Sequence, residues 1–295
     1  IGNLERSKED TKQQAMIRLL RIMYPKNHPN YQLTTNETIE QVSSANIKEV
    51  EKFYQNYYGL GSLNFAAVGD VKPVQINDLL GKYLNGWKTK NTTHVLPGMK
   101  ADAPKESNTE IHIPEKTSMD IYLGQAIGID RDHKDYYPLM MAVYILGGNF
   151  SARLMQTVRD QQGLTYGIGS SLAGVSFGGD GYWSTWGTFA PDLLDAGRKA
   201  TIEQILNWYK NGVTQDELEA KKTTIAGAYQ VGMDSTGGLM AQILSNAEKN
   251  RSVEYLDQYP DLISRITLDQ TNKAIRTYVD PDKLTVVAAG TFKDS

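Results

Sequence analysis

"YILGGNFSARLMQTVRDQQGLTYGIGSSL" (residues 144–172) decides the fold of this chain. It reads as a helix end, a short turn, a second helix and then a strand. Leu146-Gly147-Gly148 closes the apolar helical run "HKDYYPLMMAVYILGG" (133–148), and "SARLMQTVRDQQG" (151–163) predicts the next helix. Gly163 stands where a left-handed residue ends a helix, and Arg159 falls in the last turn, where the helix dipole favours a cation. Tyr166 then opens the strand "LTYGIGSSLAGV". Helix capping accounts for the glycine. It does not account for an arginine and a phenol spaced seven residues apart across the hinge.

On the C-terminal side, "GYWSTWGTFA" (181–190) alternates and is rich in aromatic and β-branched residues, so it predicts a second strand, with Gly178, Gly179 and Gly181 marking the turn. Two long helical stretches follow, 192–212 and 214–232. Thr214 and Glu217 form a capping box at the start of the latter. "LTVVAAG" (284–290) is a final strand. On the N-terminal side, "TEIHIP" and "SMDIYLGQAIGI" are strands. Residues 88–108, rich in Lys, Pro, Thr and Asn without periodicity, predict a linker. Before it come a helical stripe of Ala15, Met16, Leu19, Leu20 and Met23, then the loop 26–36. A helix follows over 45–59 with Ile47, Val50, Phe53, Tyr54 and Tyr57 on one side. The strand "SLNFAAVGD" (62–70) and a helix over 73–87 complete this part.

The 295 residues suffice for about two domains. A net charge of −3 and the absence of any Lys/Arg run argue against a nucleic-acid partner. The chain has no cysteine, which excludes disulfides, thiolate metal sites and a cysteine nucleophile, and fits a periplasmic or secreted bacterial protein. No stretch reaches the ~18 apolar residues of a membrane helix. The chain opens directly in helical sequence without Met, which reads as a fragment.

Two segments share a frame. In "NYYGLGSLNFAAVGDV" (56–71) and "RTYVDPDKLTVVAAGTF" (276–292), Tyr57 matches Tyr278, Leu63 matches Leu284 and Gly69 matches Gly290, each pair 221 positions apart. The constant offset points to an internal duplication. Residues 1–87 are then the back half of one domain, 88–108 the linker and 109–295 a complete second copy. The front half of the first copy would precede residue 1.

Self-sufficient catalytic chemistry is missing. The four histidines, His28, His94, His112 and His133, have no helical ligand partner, and neither HExxH nor HxxEH occurs. His28, beside Pro29, reads as structural or exposed. "DRDHKD" (130–135) lacks the glycine of a calcium loop and reads as an acidic helix N-terminus. "GIGSSLA" (167–173) misses the last glycine of a GxSxG elbow and lies within a strand.

Residues 144–172 resemble the second-domain signature of the pitrilysin/insulinase family of zinc metallopeptidases, to which mitochondrial processing peptidase is related. Leu146-Gly147-Gly148, Ser151-Ala152-Arg153-Leu154 and Arg159 through Gly163-Leu164 to Tyr166 match that signature in order and spacing. The stretch from "MYPKNHPN" to "VGDV" is similar to the segment closing the preceding domain. The resemblance implies an α+β clamshell of peptidase-like domains, a mixed or antiparallel sheet covered by helices, with this chain holding one complete copy and the back half of another. It implies zinc in the full-length enzyme or a partner and none in this chain, whose HxxEH is absent. Glu5 reads as a surface helix residue, not the downstream glutamate ligand. The second domain lends an arginine and a tyrosine to the cleft. Arg159 would hydrogen-bond substrate carbonyls and Tyr166 would donate to an oxyanion. The implied partners are a peptide or small protein substrate and a zinc-binding N-terminal domain, in cis or as a partner subunit, with a dimer one allowed arrangement. Two other readings remain beside this one: a structural subunit with the same fold, as in respiratory complexes, and an unrelated α+β binding module.

Overall fold

Five of the six strand-like stretches read from the sequence assemble into one five-stranded sheet: β1 (Ser107–His112), β2 (Met119–Ala126), β3 (Gly167–Ala173), β4 (Tyr182–Phe189) and β5 (Thr285–Gly290). Their order is β1-β5-β2-β4-β3. β1 and β5 run parallel, and every other neighbouring pair is antiparallel. The computed structural model describes residues 1–88, 90, 99–176 and 180–292. It divides into two bodies, one of Ile1–Ser43, Leu96–Lys221 and Ile266–Ser295, the other of Ser44–Val95 and Lys222–Arg265. The sheet lies wholly in the first.

β2 is buried along its entire length, as a central strand must be. One sheet face, carrying Tyr122, Ala126, Tyr182, Val287 and Ala289, is covered by α2 (Thr11–Met23) through Ala15, Leu19, Leu20 and Met23. That stripe is the one read from the sequence, now matched to its acceptor surface. Polar contacts fix the helix start. The buried Asp120 carboxylate accepts from Thr11 Oγ1 at 2.5 Å and Thr188 Oγ1 at 2.5 Å. Lys12 Nζ lies 3.2 Å above the Trp186 ring, and burial pulls its ammonium below the usual lysine range. A short α1 (Gly2–Ser7) precedes it, with Glu5 at the surface, paired with Lys8.

Behind the other face, α6 (Tyr136–Gly147) packs on β3, and α11 (Leu268–Tyr278) packs on α6. α7 (Leu194–Asn211) brings Trp208 to 5.8 Å from Trp183, both fully buried. The 130–135 segment does lead into a helix start. Asp135 is the N-cap residue of α6, and its carboxylate accepts from the Tyr278 hydroxyl at 2.7 Å.

The second body contains α4 (Ile47–Tyr57) and α5 (Pro73–Leu84), both read from the sequence, and α9 (Thr236–Glu248) and α10 (Tyr255–Ser264), which were not. α9 opens with Gly237 and Gly238 and α10 contains Pro260, and these breakers mask the periodicity. α3 (Thr35–Ser44) is a further helix, beginning inside the loop expected over 26–36; its Thr34–Glu37 capping pair is the available signal.

The 221-residue offset recurs in backbone detail. α4 and α11 start and stop 221 positions apart, each behind a capping box, Asn46 with Glu49 and Thr267 with Gln270. The 3-10 turns Leu60–Ser62 and Pro281–Lys283 keep that offset, and Gly69 and Gly290 have φ of 151° and 152°. The copies then diverge. Residues 285–290 form β5, with a neighbour on each side, whereas "SLNFAAVGD" is extended but is no strand, contrary to the sequence reading. A strand exists only through hydrogen bonds to another strand, and none among the described residues lies beside it. Leu63 and Phe65 accordingly stay exposed, as do Ile47, Val50, Phe53, Tyr54 and Tyr57 of α4. The matching α11 positions Thr271, Ala274 and Ile275 are buried.

Gly178, Gly179, His94 and part of the stretch read as a linker (89 and 91–98) lie outside the described residues. The end of that stretch is tied to the sheet body. His28 Nε2 meets the Met99 carbonyl at 3.2 Å, the Asp102 N–H donates to Met23 O at 3.1 Å, and β1 begins at Ser107.

Candidate functional site

α6 ends against β3 at Gly147, where a Cβ would lie 2.4 Å from the Ser170 backbone nitrogen; only glycine permits this approach. The chain turns through Asn149–Arg153 and enters a second helix. That helix is not the regular one expected over 151–163 but a π-helix over Met155–Gln161. Its wide turn shows in the Gln162 N–H donating to Thr157 O at 3.1 Å, five residues back. The Thr157 hydroxyl, bonding back to Arg153 O at 2.7 Å, competes for the carbonyl of the preceding turn.

The exit is as the sequence indicates. Gly163 takes φ of 63°, its N–H donates to Arg159 O at 2.9 Å, and the Leu164 N–H donates to Val158 O at 3.0 Å. The first is the C′-to-C3 bond of an αL cap; the second spans six residues, in keeping with the wide turn before it. Arg159 lies in the last turn. Tyr166 immediately precedes β3, whose first residue is Gly167.

The structure brings the two predicted site residues together. Arg159 Nε donates to the Tyr166 backbone carbonyl at 3.0 Å, and Nη1 donates to Asp160 Oδ1 at 3.2 Å. The Tyr166 side chain projects outward, 88% exposed, and its hydroxyl has no partner among the described residues. Thr165, buried next to it, fixes the backbone, with Oγ1 at 2.5 Å from Thr188 O and accepting from the Gly167 N–H at 3.2 Å. The result is a rigidly held turn that offers a phenol donor beside a guanidinium with donors to spare.

Behind this turn lies a set of charges that the sequence reading missed. Arg153 meets Glu217 twice, Nε to Oε1 at 2.5 Å and Nη2 to Oε2 at 2.6 Å, and Nη2 also donates to Gly212 O at 2.8 Å. Glu217 additionally closes the capping box read at Thr214, on the first turn of α8 (Gln215–Gly232). Burial alone would raise its carboxyl, but Arg153 and Thr214 outweigh that and hold it below the usual carboxylate range. One turn on, the buried Lys221 donates to Asn149 Oδ1 at 3.1 Å, Ser151 O at 2.9 Å and Ser151 Oγ at 2.6 Å. Burial lowers this ammonium, and Glu217 partly restores it. Glu217 had been read only as a cap, and a cap four residues before a lysine was the available signal.

Other candidates resolve into structure. His28 is buried, stacks on Tyr24 with centroids 4.2 Å apart, and is pushed down by burial. His133 packs edge-on against Tyr278, and His112 is exposed. Among the described residues no three His, Asp or Glu side chains gather as metal ligands. The donor set present therefore does not fit a zinc site. Ser170 of "GIGSSLA" is buried within β3 and bonded to Trp183 and Thr185, as a structural serine. An open pocket of about 400 Å³ borders Gln125, Tyr209, Arg276 and Tyr278, but the Gln125 amide is committed at both ends to the Asp280 backbone. Among the described residues no helix is long and apolar enough to cross a membrane.

A helix-covered mixed sheet of this order, with the Arg159–Tyr166 turn before β3, defines an α+β class of domain. The chain belongs to the family described as the peptidase M16 inactive domain, which matches residues 44–225, more than half of its length. The pitrilysin/insulinase resemblance is thereby established. A Bacillus subtilis protein named "Uncharacterized zinc protease YmxG" is 23% identical over 246 residues, covering 83% of this chain and 58% of that protein. A Helicobacter pylori protein named "Non-peptidase homolog YmxG" is 22% identical over 264 residues, 87% of this chain and 57% of that one. The crystal structure of a peptidase M16 inactive domain from Pseudomonas fluorescens superposes with a TM-score of 0.85 at 24% identity, over 100% of this chain and 68% of that chain. The chain thus spans somewhat more than half the length of these two curated relatives.

Proposed function

We propose that this chain is the non-catalytic C-terminal portion of a zinc metallopeptidase, binding an extended peptide and lending Arg159 and Tyr166 to a zinc site carried outside it. That site would belong to an N-terminal domain of the same polypeptide or to a partner subunit. The observation that carries the reading is the bond from Arg159 Nε to the Tyr166 carbonyl, which leaves the phenol free and exposed. A folded chain gains little by holding a tyrosine almost fully in water, whereas a preorganised donor suits an oxygen that becomes negative during reaction. The remaining guanidinium donors of Arg159 suit peptide carbonyls, which accept only. The exposed stripe of α4 and the unpaired 62–70 segment fit a missing set of strands from a first peptidase-like domain, because their repeat partners α11 and β5 bury the matching positions.

The test is peptide binding by fluorescence anisotropy. A labelled, unstructured 15-residue peptide should bind the wild-type chain and lose about tenfold or more in affinity with Arg159→Ala, the cost of a charge-assisted hydrogen bond. Equal binding by the variant would sink the reading. The second reading is a structural subunit with the same fold, supported by the Helicobacter pylori relative that is named a non-peptidase homolog. It predicts no peptide binding and a stable complex with a second polypeptide.

A further inference from the structure

We infer that Glu217 is a positioning residue for Arg159, acting through Arg153, with Lys221 as the second arm of the same clamp. This deepens the proposed function and rests on it. A π-helix is an uncommon and poorly self-supporting turn, and it persists only where its surroundings hold it. The exit of the 155–161 turn is held by the αL-cap bond of Gly163, by the Leu164 N–H on the Val158 carbonyl and by Arg159 on the Tyr166 carbonyl. Its entrance carries a backbone bond, Gln156 N–H to Ala152 O at 3.0 Å, and side chains add to that hold.

The entrance is gripped from α8. Arg153, two residues before the π-turn, makes a two-pronged ion pair with Glu217, and the Arg153 carbonyl receives the Thr157 hydroxyl within the turn. Glu217 is itself fixed by the Thr214 N–H at 2.8 Å, so it is not free to follow a shifting arginine. Lys221, one helical turn along the same face, uses its three donors on Asn149 and Ser151, the residues that lead into Arg153. All three ammonium protons are engaged, so Lys221 is a charged anchor and not a base for Ser151. Both charges project from one face of α8 onto one five-residue turn. Caps and helix packing already stabilise α8, so the added effect of this pair is to set where the 155–161 turn sits, and with it Arg159.

The test combines a spectroscopic and a binding readout on the intact chain. With ¹⁵N-arginine labelling, the Arg159 Nε–H should exchange slowly with water, protected by the Tyr166 carbonyl. Glu217→Gln keeps the shape but removes the charge, and should speed that exchange by about fivefold, the factor expected for losing about 1 kcal/mol of hydrogen-bond geometry. Binding of the labelled 15-residue peptide should weaken about three- to tenfold, less than for Arg159→Ala. In the Arg159→Ala background, Glu217→Gln should weaken binding no further, because the two act on one group. Unchanged Arg159 exchange in folded Glu217→Gln would overturn the inference, as would equal fractional losses in both backgrounds, which a purely structural role produces. Glu217→Asp, which keeps the charge, should recover part of the protection. If Arg159→Ala binds peptide like wild type, the functional reading fails, while the exchange measurement still decides the positioning.

Discussion

Replacing Leu19 with Ala should be among the most destabilising changes in the N-terminal forty residues, because α2 is the cover of the sheet and not an appendage. Leu19 is fully buried, with Ala15 and Tyr24 equally enclosed around it. Truncating such a leucine costs about 2–5 kcal/mol, the higher end where the site cannot collapse. Collapse is restrained here, since Thr11 is tied to Asp120 and Lys12 sits on Trp186, so a loss of about 3–5 kcal/mol is expected. For a body of this size each kcal/mol lowers Tm by about 2–4 °C, giving a fall of about 6–20 °C. The assay is near-ultraviolet circular dichroism on heating, which follows Trp183 and Trp186 in the sheet. Phe53→Ala is the control: Phe53 lies on α4, is 56% exposed, and should change stability by no more than about 0.5 kcal/mol. If Leu19→Ala shifts the sheet transition no more than Phe53→Ala does, α2 is not the lid of this core.

Two further outcomes are expected. Tyr122 is buried and its phenol is pushed up to about 12, chiefly by burial and then by Asp120. The unfolded chain therefore loses that proton near pH 10 while the folded chain keeps it, so stability falls as pH rises from about 10 to 12, by about 2–3 kcal/mol for this group; urea titrations should show Tyr122→Phe near neutral at pH 7 and flatter across that window. Gly290→Ala should cost about 1–3 kcal/mol, since its Cβ would lie 2.8 Å from Met119 Cγ, whereas Gly69→Ala, with the same φ and nothing within 4 Å, should cost less; equal losses in chemical denaturation would mean that the two copies are equally enclosed.

Much of this structure could be read in the residues, and the failures have physical reasons. The α2 stripe, the strands of the sheet, the Thr214–Glu217 cap and the left-handed Gly163 all follow from local pattern, because periodicity, caps and φ preference act within a few positions. The 221-residue offset is legible from three identities, and two helices and their capping boxes keep it. "SLNFAAVGD" has strand composition, but strand formation depends on a neighbour that no local pattern supplies. α9 and α10 were hidden by Gly237, Gly238 and Pro260, which packing tolerates and propensity does not. The π-turn escaped because its composition is that of an ordinary helix; the register change comes from Thr157 and from the Arg153–Glu217 pair, 64 residues apart in sequence. Arg159 and Tyr166 can be paired from the sequence because they share one hinge, whereas the contacts of Glu217 and Lys221 cannot, because they reach that hinge region from another helix.

The account turns on whether Tyr166 serves a reaction whose metal lies outside this chain. The direct measurement is complementation: the chain, wild type or Tyr166→Phe, is combined with the zinc-carrying portion of its own polypeptide or partner, and hydrolysis of an internally quenched peptide is followed at steady state. The wild-type combination should cleave. Tyr166→Phe, equally folded and equally bound, should lower kcat by about 10²–10³ with KM little changed, the usual cost of one oxyanion donor. An unchanged kcat with well-folded Tyr166→Phe, or zinc-dependent cleavage by this chain alone, would contradict it.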